Sequence, residues 1–234
     1  MRTRMFVLVA AALTGLLLWT SGGAPATATV NPADFSAPVA NPYFPLEPGT
    51  VSVYRGTEGG DRLIEHLRVT DRTKTIQGVT TTVIRDVLFR NGRLGEATTD
   101  WYANDNAGNT WYFGERTAVY DRHGNVTSRE GTWTAGVDGA VAGIIMPADP
   151  APTDAYRQEF LVGHAEDQAW IVSNDEKLSG PIGSMTNVVR SYEWTQLEPD
   201  VVSLKLYGPN LGIVQEGDVA GGDEFLQLVA VHHH

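Results

Sequence analysis

The chain has no cysteine among its 234 residues. That absence excludes disulfide staples, thiol nucleophiles and Cys-based zinc sites together, so the fold must be held by its core alone. Helical periodicity is missing too: after the first thirty residues no segment carries an i, i+3, i+4, i+7 apolar stripe over three turns. Bases are scarce, with 17 Lys and Arg against 28 Asp and Glu. An acidic surface repels phosphate backbones and anionic lipid, so nucleic acid is not an expected partner. Only one long apolar run exists, and it lies at the start.

That run fixes the expected destination. Arg2 and Arg4 precede an apolar stretch from Met5 to Trp19, followed by small residues and Ala26-Thr27-Ala28. This is the layout of a cleavable secretory signal over residues 1–28. The run is shorter than the ~20 residues a spanning helix needs. No Cys stands at the cleavage point, so the expected product is a secreted or envelope protein without a lipid anchor or membrane span. Cleavage leaves 28 acids against 15 bases, a net charge of −13.

Residues 29–49 are rich in Pro, Ala and Asn and read as an extended N-terminal arm, with the apolar cluster NPYFPL (41–46) stiffened by its prolines. From 50 to 231 short runs of Val, Thr, Ile, Tyr and Trp alternate with Gly, Asn and Asp every 8–12 residues. This pattern predicts a single all-β domain, a large curved antiparallel sheet or open barrel of about ten strands with little helix. Residues 136–155 (GVDGAVAGIIMPADPAPTDA) read as a long Gly/Ala/Pro loop, suited to be a lid or plug. Together the arm and this loop are expected to close the ends or the concave face of the sheet. The last three residues, His232 to His234, read as a tail and carry no metal site or cofactor expectation.

Four groups of residues bear on function. The densest is DWYANDNAGNTWYFGE (100–115). Its DNAGN centre lacks the ligand spacing of a calcium loop, because position 3 would be Ala107 and position 12 Arg116. A hairpin turn accounts for it better. The arms then place Tyr102 opposite Trp111, or, one register on, Tyr102 opposite Tyr112 and Trp101 opposite Phe113. Either way aromatics stand on both faces, so one face meets the core while the other is covered by the chain or lines a cavity. A second group is charge at strand centres: Arg85, Arg157 and Lys205, with Glu159 and Glu193. These are interstrand ion pairs on an outer face, or a polar patch inside a curled sheet that grips a ligand head. Third is His164-Ala165-Glu166-Asp167, which has neither the HExxH nor the GxSxG context and no metal-ligand partners in sequence. Fourth is any carboxylate pair able to cleave a glycosidic bond, for which Glu159, Glu166 and Asp167 are the candidates.

Several motifs in concert carry a resemblance. NPYFPL (41–46), DWYANDNAGNTWYFGE (100–115), AGVDGAVAGIIMPADP (135–150), YRQEF…GHAED (156–167) and LEPDVVSLKLYGPNLGIVQE (197–216) resemble a family of uncharacterised secreted bacterial proteins, along nearly all of the mature chain. The resemblance implies export and no catalytic residues. Pro181-Ile182-Gly183-Ser184 and the Tyr207–Val214 hairpin are also similar to a wider group of envelope β-proteins with curled sheets, lipoprotein-carrier-like or lipocalin-like. Asn210 departs from the second Gly usual there. This similarity implies fold more than function.

The sequence therefore supports a non-enzymatic binding protein for a small, partly apolar or lipid-like ligand, with Trp101, Tyr102, Trp111, Tyr112, Arg85, Arg157 and Lys205 as contact residues. The alternatives are an exported carboxylate hydrolase and a cell-surface interaction module, the last predicting an exposed apolar patch or a bare sheet edge.

Overall fold

A computed structural model describes residues 30–234, so the signal segment lies outside the described residues. The chain forms fifteen strands. These are β1 (Thr50–Glu58), β2 (Asp61–Ile76), β3 (Val79–Arg90), β4 (Arg93–Asn104), β5 (Thr110–Tyr120), β6 (Val126–Ser128), β7 (Trp133–Thr134) and β8 (Val141–Met146). They continue with β9 (Ala155–Arg157), β10 (Glu159–Phe160), β11 (Gln168–Gly180), β12 (Gly183–Trp194), β13 (Val202–Gly208), β14 (Gly212–Ala220) and β15 (Phe225–His233). A short 3-10 turn at Pro32–Phe35 is the only helical element among the described residues.

Thirteen strands follow one antiparallel path, β10-β8-β5-β4-β3-β2-β1-β15-β14-β13-β12-β11-β9, with β6 and β7 pairing β5 beside it. The long hairpins are set by local chemistry. Gly59-Gly60, Gln77-Gly78 and Asn91-Gly92 all have positive φ at both positions, the two-residue turn whose twist matches the flanking strands.

The two ends of the path meet in one segment. Ala155–Arg157 pairs with β11, and Glu159–Phe160 pairs with β8, so residues 155–160 cross from one sheet edge to the other. Gln158 sits at the crossing, its N–H bonded to the Asp167 carbonyl at 2.8 Å. The seam is tight: a Cβ on Gly143 would lie 2.5 Å from the Arg157 carbonyl oxygen. The sheet is thereby a nearly closed barrel.

Two expectations need correction. Residues 136–155 are not a free loop, because Val141–Met146 is a strand paired with β5 and β10. Its Gly/Ala-rich flanks and apolar sequence lack the alternation of a half-exposed strand, since it is covered on both faces. His232 and His233 are not a tail, for they pair with Val51 and Thr50 and end the strand that joins the termini.

The arm closes one end. Asn41, 1% exposed, donates its side-chain N–H groups to the carbonyls of Gly108 (2.9 Å), Met146 (3.1 Å) and Pro147 (3.0 Å). Asn210 N–H reaches the Pro42 carbonyl at 2.6 Å. These bonds tie the arm to the β4–β5 turn, the end of β8 and the β13–β14 turn, and they deliver Phe44 into the barrel.

Candidate functional site

The aromatic hairpin divides by face. Tyr102 pairs with Tyr112 across β4 and β5, and a bulge between Asp100 and Tyr102 shifts the register. Both rings point inward and stack, centroids 4.6 Å apart, while Phe44 packs on Tyr102 at 4.9 Å. On the outer face Phe35 of the 3-10 turn covers Trp111 and Phe113 edge-on, at 5.9 and 5.6 Å. The arm therefore supplies both a cover outside and a plug inside. Asp105 organises the turn between these strands. It accepts from the N–H groups of Ala107 and Asn109, the Asn109 side chain and the Trp111 indole; burial opposes its ionisation, but together these bonds outweigh it and draw the pKa below the ordinary carboxylate value.

Inside the barrel is a cavity of about 800 Å³, a size typical of small-molecule sites. Its floor is Phe44, Leu67, Ile84 and Ile213; the exposed residues of its lining lie in the β12–β13 and β14–β15 loops, at Asp200 and at Gly221, Gly222 and Asp223. Fifteen of the lining residues are Asp or Glu, and one, Lys205, is basic. The acids follow from alternation on the strands. Glu96, Thr98, Asp100 and Tyr102 share the inner face of β4, and Ser191, Glu193 and Thr195 share that of β12 and the residue after it.

The cavity's two sides differ electrostatically. On one, the Glu193 carboxylate accepts from the Tyr207 hydroxyl (2.8 Å) and the Ser191 hydroxyl (2.9 Å) and pairs with Lys205 (3.0 Å). Burial opposes its ionisation, but Lys205 and these hydrogen bonds prevail and hold its pKa below normal. Glu216 shares the same ammonium at 3.8 Å. On the other side, Asp100 and Glu115 stand directly opposite each other across β4 and β5. The Tyr112 hydroxyl donates to Asp100 at 2.8 Å, and the Thr117 hydroxyl donates to Glu115 at 3.1 Å. Burial first, then the charge of Asp100, pushes Glu115 well above the carboxylate range. Glu159, on the seam, is pushed up by burial and then by Asp167. Asp167 itself is raised to about 7, chiefly by burial, with Lys205 pulling the other way. On the lining, Gln158 Nε2 and Asp167 Oδ1 find no hydrogen-bond partner among the described residues.

Of the residues singled out in sequence, the cavity lining includes Tyr102, Tyr112 and Lys205, and also Glu159 and Asp167. It does not include the rest. Trp101 lies under the Lys74 ammonium, 3.2 Å from the ring centroid. Trp111 is beneath the arm. Arg85 is exposed on the outer face, in one cross-strand row with Arg68. Arg157 is exposed and stacks on Phe160 at 4.4 Å. Glu166 accepts the Gly163 N–H at 2.8 Å and closes a turn. Sequence reasoning did not single out Asp100, Glu115 or Gln158. Among the described residues no group of three His, Asp or Glu is arranged to hold a metal ion, and no helix is long and apolar enough to cross a membrane.

No family model matches this chain, and no curated protein does. Two solved structures are similar in shape. One is a Bacteroides fragilis protein described as a candidate exported protein with YmcC-like fold: 14% identity, TM-score 0.46, covering 81% of this chain and 98% of its own. The other is a candidate lipoprotein from Parabacteroides distasonis, with 12% identity and TM-score 0.45, covering 83% of this chain and all of its own.

Proposed function

We propose that the protein is exported and binds a small, partly apolar ligand inside the barrel. The observation that carries this reading is the cavity of about 800 Å³, plugged at one end by Phe44, with the stacked Tyr102 and Tyr112 in its wall. Filling it with side chains would have been the cheaper way to stabilise a core. The scattered exposed apolar residues, such as Val162 and Trp170, and the stitched seam speak against a surface-association role.

A fluorescence titration with N-phenyl-1-naphthylamine, a neutral apolar dye, tests the reading. Saturable binding at a single site is expected, weakened at least tenfold by Tyr102→Ala and unchanged by Arg85→Ala on the outer face. No saturable signal, or equal loss in both variants, refutes it.

A second reading, carboxylate-dependent hydrolysis, is favoured by one observation: Glu159 and Asp167 line the same cavity, the charge of Asp167 helps to raise the Glu159 pKa, and Asp167 is itself raised to about 7, where a general acid is useful. Turnover of aryl glycosides abolished by both Glu159→Gln and Asp167→Asn would establish it, and turnover surviving either would end it.

A further inference from the structure

Charge in this barrel is segregated by face. Arg55, Arg62, Arg68, Arg85, Arg93 and Arg116 are exposed on β1 to β5, whereas acids dominate the interior. A ligand entering the cavity meets fifteen carboxyl groups and one ammonium, and that ammonium is already shared between Glu193 and Glu216. The sign is opposite to the one expected from Arg85, Arg157 and Lys205 as a cluster.

We propose that the cavity's ligand is a small organic cation, an ammonium or guanidinium group carried on an apolar body and bearing an acceptor oxygen. The inference rests on the cavity being a binding site and adds the ligand's chemical class. Three features of the interior select it. The Asp100–Glu115 pair and Glu159 form an acidic wall beside the tyrosines, and a cation placed there offsets repulsion that otherwise costs stability. The stacked Tyr102 and Tyr112, with Phe44, give a surface that suits both an apolar body and, through the ring faces, a cation. Gln158 is an independent mark of a missing partner. It is 2% exposed, belongs to the lining, and its side-chain nitrogen bonds to nothing among the described residues. A buried amide donor without an acceptor costs about 1–3 kcal/mol, and a ligand carbonyl or hydroxyl oxygen would relieve that cost.

Other ligand classes fit less well. An anion is repelled. A bare acyl chain would strip water from carboxyl groups without replacing its hydrogen bonds. A metal ion lacks a cluster of three ligating side chains among the described residues. A cation with its charge on nitrogen can instead spread several N–H donors over carboxyls on different strands.

Isothermal titration calorimetry at pH 8 with three probes of similar shape tests the inference: 2-phenylethylamine, 2-phenylethanol and 3-phenylpropanoate. The amine is expected to bind at least tenfold more tightly than the alcohol, and the carboxylate not at all. Glu115→Gln and Glu159→Gln should each weaken the amine fivefold or more and leave the alcohol unchanged, with the folded fraction checked by circular dichroism. The wild-type ranking needs no variant to fold. An alcohol or carboxylate that binds as tightly as the amine overturns the inference while leaving a binding cavity in place. Amine affinity unmoved by both substitutions also overturns it, because the charge then sits elsewhere. Failure of all three probes to bind overturns the inference and counts against the cavity as a binding site.

Discussion

Asp167→Asn should stabilise the protein at pH 8 and not at pH 4. Asp167 lies on the cavity wall, and burial raises its pKa to about 7 from the ordinary 3.8, with Glu193 and Glu198 adding to the rise and Lys205 and Thr195 opposing it. An acid whose pKa is raised on folding costs nothing below the unfolded value, where it is protonated in both states. The cost grows as pH climbs from about 4 to 7 and is complete above 7. A shift of about three units corresponds to about 4 kcal/mol at 1.36 kcal/mol per unit. Asn removes the charge at nearly the same volume but brings an amide N–H₂ in place of an unpartnered oxygen, at about 1 kcal/mol. The variant should thus be about 1 kcal/mol less stable at pH 4 and about 3 kcal/mol more stable at pH 8. Glu159 reinforces the trend, since Asp167 is the largest charge effect raising its pKa. Urea melts of both proteins at unit pH steps from 4 to 8 measure the difference. A difference independent of pH would mean that Asp167 ionises as freely as in water, and burial would not be what raises its pKa.

Three further perturbations test other parts of the structure. Lys205→Met removes the one base in the cavity lining and leaves Glu193 and Glu216 buried without it; a loss of about 3–5 kcal/mol is expected at pH 7. Because the Glu193 pKa is lowered on folding, its contribution is present at neutral pH and fades as pH falls below the ordinary carboxylate range, so the wild-type advantage should shrink towards pH 3 in urea melts. Asn41→Ala deletes four hydrogen bonds from a buried side chain, three donated by its amide and one accepted from the Tyr43 N–H, and should cost about 2–3 kcal/mol by chemical denaturation, with faster amide exchange across residues 30–46. Gly143→Ala forces a Cβ to within 2.5 Å of the Arg157 carbonyl and should open the seam, seen as loss of amide protection at residues 155–160 before the rest of the barrel.

The strands were legible because their signals are local. Asn91-Gly92 announces a hairpin, and Val79 to Phe89 is rich in Val, Ile, Thr and Phe between two turn signals. The strand β8 was not, since Val141-Ala142-Gly143-Ile144-Ile145-Met146 is apolar at both parities and bounded by Ala and Pro. Alternation also leaves one fact undetermined: it groups residues by face but does not say which face is inside. On β3 the odd set, Val83, Arg85, Val87 and Phe89, is the more apolar and reads as the inner one. The fold turns the even set inward, Ile84, Asp86 and Leu88. The same inversion explains why Glu96, Thr98, Asp100 and Tyr102 read as an ordinary polar face. Arg157 and Glu159 share a parity as well, yet the seam crosses between them at Gln158 and separates them.

The inversion has a physical rationale in the arm. A barrel that turns its carboxyls inward must leave part of its apolar surface outside, and on β5 that surface is Trp111 and Phe113. Bare, they would be an association surface on the very strands that form the cavity wall. Phe35 lies edge-on to both, while Phe44, nine residues later, enters the barrel against Tyr102. One stretch of chain therefore satisfies two conditions at once: it covers the outer apolar face and it plugs the acidic interior. The coupling implies that loosening the arm exposes the outside and opens the inside together. Cavity occupancy and surface association should then respond to Asn41→Ala in step, a behaviour that a barrel with its apolar face inward would have no reason to show.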